Sequence, residues 1–206
     1  MPLYDATSAA LAKLYDTLET DTLLDIGCGD GMALIPALER AHHRPRYVDM
    51  VEPSQPLLIS ATESLRAEHR FAFGHLHAWH QTAQQFVADL QPNQRWDLAQ
   101  STFALQSLPP TERMETLRGL RPHARRFALV EFDIPLLEPG SAAHYASLAN
   151  RYQRALDGYG DDAALIAGGF LAPMLLGQLR PDARPSNWEQ PIAAWVEELR
   201  VSRATP

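Results

Sequence analysis

The stretch Leu23-Leu24-Asp25-Ile26-Gly27-Cys28-Gly29-Asp30-Gly31 carries the strongest chemical signal in the chain. An apolar run containing one acid enters a turn with three glycines in five residues. Glycine admits positive φ and lets a ligand approach the backbone with no Cβ in the way. Where such a turn opens a helix, its free N–H groups can hold a carboxylate or phosphate. The dinucleotide fingerprint G-x-G-x-x-G needs its third glycine at position 32, where Met32 stands. A nucleoside-triphosphate loop needs Gly-Lys-Ser/Thr, which is absent. Glu52 lies about 20 residues beyond the glycines, at the end of the next apolar run. A carboxylate there can accept hydrogen bonds from both hydroxyls of a ribose. The competing role for Glu52 is a solvated acid at the start of the helix after Pro53.

Other residues offer proton or metal chemistry. His80, Glu131 and Asp133 are candidate bases, the two acids because Glu131-Phe132-Asp133 ends an apolar strand on the ligand side of the sheet. None of the three is singled out, and the catalytic residue stays unknown. His75 and His77 share one face if their segment is a strand. Two histidines without a firm third ligand do not define a site, so no metal is expected.

Alternating elements must position these groups. Apolar residues Leu11, Leu14, Tyr15 and Leu18 predict an amphipathic helix over Ser8–Leu18, with Thr7 or Ser8 as its cap. Strands are expected at Thr22–Ile26, Arg46–Glu52, within Phe71–Trp79, at Trp96–Gln100 and at Arg126–Phe132. Helices are expected at Met32–Arg40, Ser54–Glu68, Thr82–Leu90 and Thr111–Leu120. This order implies an α/β fold, doubly wound, with a mainly parallel sheet and helices on both faces. Residues 1–135 form the expected ligand-binding core. Residues 136–206 form a helical lid and C-terminal segment of the same domain. That segment should break around Gly158–Gly160 and at Pro173, and Pro181–Pro185 should be a loop. Tyr145, Tyr152 and Tyr159, seven apart, share a helix face for lid, core or dimer contacts.

Composition narrows the classes. The chain has 206 residues and a formal net charge of -7, which argues against a nucleic-acid partner. Lys13 is the only lysine and Cys28 the only cysteine, so no disulfide forms within the chain and a reducing cytoplasm is expected. The longest apolar run, Ala163–Gly177, is shorter than the ~20 residues of a membrane span, so no membrane partner is expected.

The acid followed by G-x-G-x-G resembles motif I of the class I S-adenosylmethionine-dependent methyltransferases. Asp97–Pro109 (DLAQSTFALQSLP) resembles that family's fourth motif, of the type D-L-V-x-S-x-x-A-L-H-H-L-P. The resemblance covers about Leu11 to Pro135. It implies a Rossmann-like fold and S-adenosyl-L-methionine as cofactor. It places Asp25, Gly27, Cys28, Gly29 and Gly31 around the methionine part, with Asp25 on the amino group and Glu52 on the ribose. It places Gln81 and Thr82 near the adenine, and Gln100 and Ser101 close to the cofactor. Thr82-Ala83 stands where many relatives have Asp-Ala, and Gln106-Ser107 where they often have a His pair. The family's sheet has seven strands, and the last two find no candidates here, so the C-terminal strands are expected to be missing. A sheet edge left open in this way invites a homodimer. The implied activity is methyl transfer to an oxygen or nitrogen of a small molecule or peptide. The alternatives are a non-catalytic cofactor-binding or partner subunit of the same fold, and a nicotinamide-dependent oxidoreductase, which Met32 disfavours.

Overall fold

The computed structural model describes residues 2–67, 73–138, 140–157, 159–179 and 187–202. Its centre is a five-stranded sheet of β1 (Thr22–Ile26), β2 (Tyr47–Val51), β3 (His75–Trp79), β4 (Trp96–Thr102) and β5 (Ala124–Val130), in the order β3-β2-β1-β4-β5. All its neighbouring pairs run parallel. The chain steps outward from β1 to β3, then returns to place β4 on the other side of β1. In open parallel sheets this reversal of direction leaves a crevice at the carboxyl ends of the strands, where ligands bind. Here the crevice lies between β1 and β4, whose register sets Asp25 beside Gln100 and Ile26 beside Ser101.

Both faces of the sheet are covered. Neighbouring residues of β1 point opposite ways, as strand geometry requires. Leu23 joins one buried cluster, with residues of α1 (Pro2–Leu18), α2 (Leu34–Arg40) and α3 (Gln55–Ala67). Leu24 and Ile26 join the other, with residues of α4 (Ala83–Ala88) and α5 (Pro110–Leu120) and with Trp195 of a later helix. Asp97 staples the start of β1 to β4: one of its carboxylate oxygens accepts from the backbone N–H groups of Asp21 and Thr22 and from the Thr22 hydroxyl. After β5 come α6 (Ala142–Asp157), α7 (Ala163–Ile166), a π-helical turn at Ala167–Leu171, α8 (Ala172–Gln178) and α9 (Ile192–Val201).

Several expectations shift. The first helix begins at Pro2, so Ser8 does not cap it. Ser8 is fully buried inside the helix, and its hydroxyl donates to the carbonyls of Tyr4 and Ala33. α6 ends at Asp157, where a break around Gly158–Gly160 was expected, but no break falls at Pro173: the helical stretch Ala163–Gln178 passes through it, with its irregularity taken up by the π turn at Ala167–Leu171. β5 lies two residues earlier than expected and leaves Glu131 and Asp133 in the segment beyond it. The proposed loop at Pro181–Pro185, and Phe71 and Ala72 of the third-strand window, lie outside the described residues.

The contact that docks α9 was not anticipated. Arg113 of α5 is fully buried. Its Nε and Nη2 donate to the two carboxylate oxygens of Glu198 at 2.8 and 2.7 Å, and Nη1 donates to the carbonyls of Leu108 and Trp188. Its guanidinium lies 4.3 Å from the ring centre of Trp195. Removing one partner of such a pair leaves a buried charge uncompensated, at a cost of about 3–5 kcal/mol. Glu198→Ala should therefore lower unfolding stability by about that amount in a denaturant melt. A change within about 0.5 kcal/mol, the range of ordinary surface substitutions, would contradict this role for Arg113.

Candidate functional site

β1 delivers Asp25 into the sheet, and the chain then turns sharply. Gly27, Gly29 and Gly31 have φ of 72°, 58° and 85°, which glycine adopts without strain. The N–H groups of Gly27 and Cys28 bond to the Val51 carbonyl, and the Gly31 N–H bonds back to Cys28. Glu52 completes the loop from β2. One of its oxygens accepts from the Gly29 N–H at 3.0 Å and the other from the Ser54 N–H at 2.8 Å. A carboxylate oxygen has two lone pairs, so both oxygens keep capacity for a ligand hydroxyl.

A cavity of about 220 Å³ opens beside this loop. Asp25, Gly27, Cys28, Gly29 and Glu52, five of the residues singled out in the sequence, line it. Tyr4, Asp30, Met32, Thr102, Phe103 and Ala104 also line it and were not expected. Tyr4 comes from the extra turns of α1, invisible to a periodicity that begins at Leu11. Phe103 is held at φ 52°, an uncommon conformation for a bulky residue. Its ring meets Tyr4 edge-on at 5.8 Å and stacks on Phe132 at 4.5 Å. Burial, Asp30 and Tyr159 all raise the Tyr4 pKa.

Asp25 dominates the electrostatics. Its carboxyl is 2% exposed, and Oδ1 has no hydrogen-bond partner among the described residues. Burial pushes its pKa up from 3.8 to about 7, the Gln100 side chain pulls it down, and Glu52 pushes it further up. The Gln100 Oε1 accepts from the Tyr15 hydroxyl at 2.7 Å, which fixes the amide beside Asp25. Burial, with Asp25 and Glu52 next in weight, raises the Cys28 thiol, so a reactive thiolate is not formed there.

The other expected site residues are engaged elsewhere. Gly31 shapes the turn but does not line the cavity. Ser101 is buried and donates to the Ile26 carbonyl. Thr82 caps α4 in a reciprocal capping box with Gln85, and Gln81 donates to Asp89. The His80 ring pairs with the Pro53 carbonyl. Asp133 accepts from the Ile192 N–H at the start of α9. Glu131 accepts from the Gln106 N–H, and burial raises its pKa from 4.5 to about 7 despite that bond, one from Leu105 and the charge of Arg113. None of His80, Glu131 and Asp133 lines the cavity.

No protein-family model matches the chain, and no curated protein matches its sequence. Solved structures do match. The chain is similar to a mitomycin 7-O-methyltransferase at 15% identity and a TM-score of 0.58, over 97% of this chain and 48% of that one. It is similar to a magnesium protoporphyrin IX methyltransferase from Synechocystis, solved with S-adenosylhomocysteine bound, at 14% identity and a TM-score of 0.57, over 96% and 72% of the two chains. A cyclopropane synthase from Mycobacterium tuberculosis matches at 13% identity and a TM-score of 0.57, over 96% and 59%. The chain thus spans about half the length of the mitomycin enzyme. With the strand order and the glycine turn, these likenesses establish the Rossmann-like fold of the class I S-adenosylmethionine-dependent methyltransferases. Among the described residues, no helix is long and apolar enough to cross a membrane.

Two outcomes follow from this geometry. A Cβ on Gly27 would sit 2.3 Å from that of Ala104, whereas one on Gly29 would meet nothing within 4 Å. Gly29→Ala should cost only the positive-φ penalty of about 1–2 kcal/mol. Gly27→Ala should cost clearly more in the same thermal melt, and equal losses would contradict the packing described. The second outcome concerns pH. In the fold, Asp25 and Glu131 hold protons that the unfolded chain has already released, so the native state binds more protons. Stability without ligand should therefore fall as pH rises from about 4 to about 7, and Asp25→Asn should flatten that slope. Stability rising over this window would show that these acids are ionised in the fold.

Proposed function

We propose that the chain binds S-adenosyl-L-methionine in the cavity beside Asp25–Gly31 and transfers its methyl group to an oxygen or nitrogen of a small molecule or peptide. The observation that carries this reading is the buried Asp25 carboxyl, with one oxygen unpartnered, in the wall of a glycine-lined cavity. A primary ammonium is the partner that such a carboxylate lacks. Glu52 suits the ribose hydroxyls, and the space at Gly29 suits close approach of a ligand to the backbone. When bound, the cofactor supplies a methyl group on a sulfonium, a good leaving group. The chain's work is then orientation, which can supply ~7–11 kcal/mol in well-positioned reactions. Tyr4 and Phe103 wall the cavity and would exclude water from it.

The remaining assignments belong to the same proposal. Gln100 acts through Asp25, and Gln81 and Thr82 stand near the adenine by motif position. Residues 1–135 bind cofactor, and residues 136–206 form the lid over the acceptor. The exposed side chains of Leu136, Leu165 and Leu176 support a homodimer contact in this second part. A second reading, a non-catalytic cofactor-binding subunit, is favoured by one observation: His80, Glu131 and Asp133 are all bonded away from the cavity.

Calorimetric titration with S-adenosylmethionine and S-adenosylhomocysteine tests the proposal. Both should bind, more tightly as pH rises from 6 to 8, because Asp25 must lose its proton to meet an ammonium. Asp25→Asn should weaken binding roughly tenfold or more and remove the pH dependence. Absence of binding by either compound sinks the reading. Binding without turnover on a broad panel of hydroxyl and amine acceptors favours the subunit.

A further inference from the structure

The two histidines that lacked a third ligand in the sequence gain one in the fold. β2 and β3 pair in parallel with Tyr47 opposite His75 and Asp49 opposite His77. Alternation along a strand puts Asp49, His75 and His77 on one face, away from the glycine turn at the carboxyl ends. One ligand atom from each lies within 4.8 Å of the others. We propose that Asp49, His75 and His77 form a binding site for a borderline divalent transition ion, of which Zn2+ is the representative. This inference is independent of the cofactor reading.

Three features make the cluster a ligand set. First, Asp49 is held in place: its two oxygens accept from the indole N–H groups of Trp79 at 2.9 Å and Trp96 at 2.8 Å. Such outer hydrogen bonds orient a ligating carboxylate, and each oxygen keeps a lone pair for the ion. Second, the His77 ring is stacked on Trp79 with centroids 4.0 Å apart and planes 11° apart. Stacking fixes the ring through its face and leaves the in-plane nitrogens free. Neither the His75 nor the His77 ring shows a hydrogen bond among the described residues, although both backbones are tied into the sheet. Third, a cavity of about 270 Å³, bordered by Thr22, Tyr47, Asp49 and His75, leaves room for an ion and its water. Arg95 also borders it, but its guanidinium is turned to the carbonyls of Pro92 and Gln94.

The donor chemistry selects the ion. Two neutral imidazoles and one carboxylate suit zinc and its neighbours better than calcium or magnesium, which prefer all-oxygen shells. Ligands at ~2.0–2.1 Å from a tetrahedral ion lie roughly 3.3 Å apart, so the donors need to close by about 1.5 Å or less. Rotation of His75, which is exposed, is the movement that brings the donors together around the fixed His77 ring and Asp49. Three protein ligands leave a coordination position for water or another small ligand. Bound there, the ion ties the edge strand β3 to β2.

The test uses the untagged chain, since an affinity tag of histidines would itself take up metal. Titration with Zn2+ should show one ion per chain at micromolar or tighter affinity, and thermal stability should rise with the ion present. His75→Gln and His77→Gln, each checked for an unchanged fold by circular dichroism, should each weaken binding roughly tenfold or more. Cu2+ should quench about half of the indole emission, because two of the four tryptophans bond to Asp49. A double substitution of the adjacent His42-His43 pair should leave binding unchanged. The proposal is overturned if no saturable binding occurs below about 100 µM, or if the His75 and His77 variants bind as the parent does.

Discussion

A carboxyl enclosed at the centre of a parallel sheet must take a proton or find a cation. That constraint on Asp25 organises much of the molecule around it. β1 carries the residue inward because its neighbours Leu24 and Ile26 belong to a buried cluster. β4 sets Gln100 beside it in register, and Tyr15 of α1 holds the Gln100 amide in place. The glycine turn follows at once, so Asp25 stands in the wall of a cavity. Glu52 approaches from β2 as a second acid, and its charge adds to the demand for a positive group. A site that stores two acids near one cavity is costly when empty and selective when filled.

Much of this arrangement was legible in the residue pattern, for identifiable reasons. β1 and β2 are short, mostly apolar runs closed by turn residues, whereas β3, with its two histidines, could be placed only within a window; the spacing of the strands leaves room for one helix between each consecutive pair. The acid and three glycines fall at positions whose backbone needs are severe, so their types betray their roles. Other parts were silent. The N-terminal turns of α1 bring Tyr4 to the cavity, yet Pro2–Ala6 carries no helical stripe. Phe103 reads as one more apolar residue, and only its positive φ sets it at the rim. Thr82 could serve a ligand or a helix end, and the capping box with Gln85 decides for its hydroxyl. Arg113 and Glu198 are 85 residues apart, and no local signal links a buried arginine to its acid.

The two edges of the sheet differ in character. On one side, β3 ends the sheet with histidines and indoles grouped about Asp49. On the other, β5 has no strand partner beyond β4 among the described residues. α9 lies against the same face as α4 and α5, held there by the Arg113–Glu198 pair and the Trp195 ring. The cavity beside Asp25–Gly31 lies between these edges, at the point where the strand order reverses. Chemistry at the cavity can therefore be separated, residue by residue, from whatever either edge contacts.

The central claim is that Asp25 waits for a cation supplied by the cofactor, and the ionisation of that one carboxyl tests it most directly. Carbon-13 NMR of the Asp25 carboxyl, assigned by comparison with Asp25→Asn, can follow its titration with and without S-adenosylhomocysteine. The account predicts a midpoint near 7 in the free protein and a clear fall when the ligand is bound. A midpoint that does not move on saturation with the ligand would contradict it.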